Sequence, residues 1–114
     1  MKATGILFRP ELVVLLSGDV VAALLLSQIA YWFQPATSGH SKLRVVKGGH
    51  RWLAKSAPQW HAEIGLSEKQ ARRAVEVLRS EELILTKVMR FAGSPTVHIR
   101  LTEHGRSVLA LPKS

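Results

Sequence analysis

The chain has 114 residues, enough for one domain with a real core and too few for a binding domain joined to a separate catalytic one. Sixteen Lys and Arg against eight Asp and Glu leave a net charge of +8 and a pI near 10.7, which points to an anionic partner, either nucleic acid or a membrane surface. The absence of cysteine excludes disulfide scaffolds, thiolate zinc fingers and thiol nucleophiles, and fits a reducing cytoplasm.

Residues 1–9 read as irregular chain or a short strand, and Pro10 is placed to open a short helix ending near Ser17. Asp19 is the natural cap of a helix over 20–33, which Pro35 stops. This VVAALLLSQIAYWF segment is apolar almost all the way round, so it must be a central core helix, a subunit interface, or both; a homodimer through helix 20–33 is the expectation. Its uncharged run stops short of the ~20 residues that a spanning helix requires, so no membrane insertion is expected. Tyr31 and Trp32 read as packing residues rather than a base-stacking platform.

A polar loop over 36–41 leads to two short β-rich runs, 42–47 and 50–54, around Gly48-Gly49, the composition of a two-residue hairpin turn. One of these strands should join a later hairpin as its third strand. No acidic residue occurs between Val20 and Ala62, whereas Lys42, Arg44, Lys47, Arg51 and Lys55 all do, giving a basic surface suited to phosphates.

Two helix starts follow, eleven residues apart. Ser56 with Gln59, and Ser67 with Gln70, have the spacing at which the serine caps the helix and the glutamine reaches back. Gly65 between them supplies the left-handed residue that ends the first helix, and Leu66 its hydrophobic contact. In the second helix, over 67–80, Ala71, Ala74, Val75 and Leu78 form an apolar stripe of 3.6 period. Lys69, Gln70, Arg72 and Arg73 then belong to the outward side of its first turns. Arginine and lysine fork onto guanine edges or phosphates, and glutamine pairs with adenine, which is the chemistry of a recognition helix.

After Leu83, ILTKVMRF and TVHIRL flank AGSP, predicting a hairpin with a four-residue turn and Phe91 opposite Thr96. That pairing sets Val88, Val97, Ile99 and Leu101 on one face and Lys87, Met89, His98 and Arg100 on the other. Residues 102–109 read as a short closing helix capped by Thr102 despite Gly105, with a frayed tail over 111–114. The sum is one α+β, mainly α domain over 1–114, a winged helix-turn-helix with a three- to four-helix core and a β-hairpin wing, its core spanning about residues 8–101.

Nothing here calls for catalysis, a cofactor or a metal. No histidine pair has the i, i+4 spacing of a helical metal site, and each of the five reads as a plain surface residue. Asp19, the one aspartate, is better used as a helix cap than in a triad.

Residues Gln28 to Phe33 (QIAYWF), Trp52 to Ser56 (WLAKS), Trp60, Gly65-Leu66-Ser67, Gln70, Arg73, Leu78 and Leu83-Ile84 to Lys87 resemble the winged-helix domain at the N-terminus of plasmid replication initiators and phage replisome organisers. The resemblance covers roughly residues 8–101. It implies a winged-helix fold, duplex DNA as ligand, and recognition by the helix opened by Ser67. Lys69, Gln70, Arg72 and Arg73 would then meet bases or nearby phosphates, while Lys55, Ser56, Lys87, Arg90 and Arg100 hold the backbone. Such initiators carry a further domain that recruits helicase machinery, and no such domain follows Leu101. The expectation is therefore a stand-alone transcriptional regulator of a plasmid, phage or other mobile element, acting in the cytoplasm. The rivals are a replication accessory protein, a winged-helix protein-interaction module built on helix 20–33, and a membrane-associated basic protein.

Overall fold

The structure, a computed structural model, describes residues 8–112; the irregular start expected over 1–9 lies outside the described residues as far as residue 7, as do the last two positions of the expected frayed tail. Five helices and a four-stranded antiparallel sheet make an α+β architecture: α1 (Glu11–Leu15), α2 (Val20–Phe33), β1 (Val45–Lys47), β2 (His50–Ala54), α3 (Ala57–Ile64), α4 (Glu68–Ser80), β3 (Ile84–Phe91), β4 (Ser94–Leu101) and α5 (Glu103–Val108). The spatial strand order is β1-β2-β4-β3, so the strand before α3 does pair with the later hairpin.

Helix α2 begins where Asp19 accepts from the Ala22 N–H at 3.0 Å. It is the central helix: Ala22, Ala23, Leu25, Leu26, Ile29 and Ala30 are fully covered by the chain itself. The inner sheet face, Leu53, Ile84, Ile99 and Leu101, joins this core with Trp60, Leu66, Ala71, Ala74 and Leu78 from α3, its turn and α4. Burial within one chain thus accounts for most of the apolar surface of α2. Val20 is the one position of α2 that remains exposed, beside exposed Val14 and Leu15 of α1.

Two serine-glutamine capping boxes open α3 and α4, and Gly65 ends α3 in the left-handed conformation at φ 77°. The wing hairpin differs from the sequence expectation. Strands β3 and β4 meet across a two-residue turn, Ala92-Gly93, with Phe91 opposite Ser94 instead of Thr96. Both turn residues have positive φ, 52° and 83°. Such turns match the right-handed twist of the flanking strands better than a longer open loop does. Ser94 and Pro95 therefore belong to β4. On β4, strand β2 pairs only with Ile99 and His98, so the Pro95 end of β4 has an open edge where a missing N–H costs no ladder bond. The shift is two residues, which preserves alternation. Val88, Val97, Ile99 and Leu101 still share the inner face, and Lys87, Met89, His98 and Arg100 the outer one.

His98 corrects a second expectation, since it is wholly buried rather than a surface residue. Trp52 and Phe91 meet its ring edge-on, with centroids 6.5 and 6.1 Å away. Its Nδ1 lies 2.8 Å from the Thr96 carbonyl, which can only accept, so Nδ1 carries the proton and Nε2 is left without a partner among the described residues.

Candidate nucleic-acid interface

Helix α4 presents Lys69, Gln70, Arg72 and Arg73 outward because its apolar stripe, Ala71, Ala74 and Leu78, is turned into the core. Three of these four outward side chains are nonetheless engaged. Ser67 and Gln70 satisfy each other: the Gln70 N–H donates to Ser67 Oγ at 3.1 Å, and the Ser67 N–H to Gln70 Oε1 at 2.9 Å. Arg72 pairs with Glu68 one turn back at 2.8 Å, although its side chain is 70% exposed. Arg73 reaches across to the N-terminus of α2 and grips both oxygens of Asp19, at 2.8 and 3.0 Å. This contact holds the Asp19 carboxyl down to about 2, helped by the Ala22 N–H, and raises the Arg73 guanidinium above its ordinary value. Arg79 forms a third pair, with Glu76. Lys69 is the α4 cation with no carboxylate partner among the described residues.

Lys55 and Ser56 are likewise committed. Ser56 accepts from the Gln59 N–H at 3.4 Å. Lys55 is mostly buried, lies 3.8 Å over the Trp32 ring and is paired with Glu63. Glu63 is a hub: it also accepts from Gln28 Nε2 and Trp32 Nε1, each at 2.9 Å. Burial pushes the Glu63 carboxyl up, but the hydrogen bonds from Lys55, Trp32 and Gln28 outweigh it and hold the carboxyl below its ordinary value.

The sheet side differs in kind. None of the four strands contains Asp or Glu, while they carry Lys47, Arg51, Lys87, Arg90 and Arg100. Lys87 is exposed on the outer face, where the register also places Lys47, His50 and Arg100. Arg100 stacks over the Trp52 ring at 5.4 Å. Arg90 sits on the opposite face and donates to the Gly93 carbonyl at 2.9 Å, bracing the wing turn. Arg106 of α5 extends the outer set over Phe33; burial and the nearby charge of Arg100 push it below its ordinary value. Among the described residues Glu68, Glu76 and Asp19 thus pair three of the four α4 cations, Glu63 pairs Lys55, and cations without a carboxylate partner gather on the sheet and the loop before it.

Sequence reasoning found the acid-poor segment and the wing cations but missed both cross-links, Arg73 to Asp19 and Lys55 to Glu63. The Arg73 partner lies 54 positions away in sequence, beyond any local pattern. Among the described residues no group of three His, Cys, Asp or Glu could hold a metal ion, and no helix is long and apolar enough to cross a membrane. No family model matches this sequence, and no curated protein or solved structure matches it either.

Proposed function

We propose that this protein is a winged-helix protein that binds duplex DNA. The observation that carries the reading is charge segregation: an acid-free sheet bearing Lys47, Arg51, Lys87, Arg90 and Arg100 stands beside a doubly capped helix pair. The element order supports it: helix, strand, helix, helix and hairpin, with strand order β2-β4-β3, is compatible with a winged helix. In this reading α4 enters the major groove and the β3–β4 hairpin lies along the backbone.

The pairing of Arg72 and Arg73 divides the roles. Lys69, Lys87 and Arg100 meet phosphates without first surrendering a carboxylate partner. Arg72 exchanges an exposed pair, of the kind that contributes little to stability, for a base or phosphate contact. Arg73 must leave Asp19 to read a base, so it is the discriminating member.

A gel-shift titration over a salt series tests this. Lys87→Ala should weaken binding to all duplexes alike and flatten the log–log salt slope by about one unit. Arg73→Ala should instead reduce preference among sequences selected from a random duplex library. Absence of duplex binding at low salt would sink the reading.

A further inference from the structure

A second concavity lies beside the wing, where the C-terminal end of α2, the loop over 34–44, β2 and the last residue of β3 converge, enclosing about 620 Å³. Its size falls within the ~300–1,000 Å³ of ordinary small-molecule sites. Four aromatic side chains line it: Tyr31, Trp32, Trp52 and Phe91. Lys42 and Arg44 also line it, and no carboxylate is among the lining residues. The other large concavity, between α3, α4 and the hairpin, has Glu68 and Glu76 in its wall.

The walls are fixed in advance. Trp52 is held by its Nε1 donation to the Lys47 carbonyl at 3.2 Å and by the buried His98. Trp32 is held by Glu63 and by Lys55 over its ring. Lys42 donates to the Tyr31 and Gln34 carbonyls at 2.7 and 2.9 Å with its ammonium 4.0 Å over the Tyr31 ring, and its third N–H has no hydrogen-bond acceptor among the described residues. Arg44 is exposed and makes no ion pair among the described residues. Planar aromatic walls beside fixed cations, with Ser38 and Gln59 as edge donors and acceptors, suit a flat heteroaromatic ring that carries an anion.

We infer that this concavity binds a nucleobase bearing a phosphate, the ring among Tyr31, Trp52 and Phe91 and the phosphate at Lys42 and Arg44. Two sources present that chemistry: a free nucleotide, or an unstacked nucleotide of a single-stranded segment continuous with DNA on the wing. The site rests on its own lining and does not depend on duplex recognition.

Tryptophan fluorescence provides the test, because Trp32 and Trp52 both face the ligand site. Intact protein is titrated at low salt with adenosine 5′-monophosphate, with adenosine and orthophosphate separately, and with blunt and single-strand-overhang duplexes. The nucleotide should bind at least about tenfold tighter than either half. If strands are the source, the overhang duplex should quench and the blunt one should not. Arg44→Glu and Phe91→Ala, both at exposed positions, should each weaken that binding about tenfold or more, while Val14→Ser on α1 leaves it unchanged. Circular dichroism checks that each variant is folded, and either folded variant suffices. The inference is overturned if neither the nucleotide nor the overhang quenches, if adenosine or orthophosphate alone binds equally well, or if the variants bind as the parent does. Blunt-duplex affinity, measured on the same samples, reports the winged-helix reading separately.

Discussion

Asp19 does two jobs with one carboxylate. It caps α2 through the Ala22 N–H, and it grips the Arg73 guanidinium from α4. Since its folded pKa, about 2, lies below the ~3.9 of an unfolded aspartate, the charged form favours the folded state. That contribution is complete above about pH 4 and disappears as pH falls toward about 2. Asn in its place keeps a capping oxygen and loses the charge. Asp19→Asn should therefore be less stable than the parent at pH 7 in urea unfolding, with the gap closing as pH falls toward 2. A constant gap across that range would assign the effect to capping geometry alone. The cap was legible in the sequence, because Asp19 stands immediately before an apolar run. The ion pair was not, because charge partners on separate elements leave no trace in spacing. Arg72 and Arg73 both belong to the outward side of α4, yet one is tied to its own helix and the other to the N-cap of α2.

Helix α5 illustrates what an element needs in order to dock. Gly105 looks like a helix breaker, but it marks the point of closest approach: a Cβ built there would lie 2.2 Å from the Leu83 carbonyl oxygen. The obstacle is backbone at the head of β3, so it cannot swing aside as a side chain would. Overpacking of this kind costs about 1–3 kcal/mol. Gly105→Ala should lower the thermal midpoint even though alanine is the better helix former, because tertiary contact outweighs propensity here. A rise in the midpoint would mean that α5 can slide away from β3. The Thr102 cap of this helix was readable from sequence, as were the paired boxes at Ser56 and Ser67, since each is a contact within a few residues. The wing turn was misplaced because Gly-Ser-Pro suggests a loop, whereas the twist of two long strands selects the shorter Ala92-Gly93 reversal. His98 escaped for a related reason. Alternation assigns it to the outer face but says nothing of Trp52 and Phe91 closing over that face.

At the scale of the molecule, composition announced the +8 charge and only the fold revealed its placement. Among the described residues the four ion pairs engage α3, the entry to α3, α4 and the N-terminus of α2, and none involves the sheet, which keeps its cations. The unbroken apolarity of α2 said that it must be covered on nearly every side, but left a place at the centre and a subunit interface both open. The two flanks of that centre are tied together. The Arg9 backbone N–H donates to Ser27 Oγ within α2 at 3.0 Å, while the Arg9 guanidinium donates to the Leu109 carbonyl at 2.9 Å. Sequence positions a hundred residues apart are thereby neighbours. A flexible connector could link the segments that meet at Arg9 and Leu109, and the chain could instead be cut in the exposed Gly48-Gly49 reversal, away from the buried cluster. A rearranged polypeptide of this kind should still melt in one cooperative step by circular dichroism. Connectivity would then be a detail of how the ribosome delivers this fold, and the contacts around α2 its true specification.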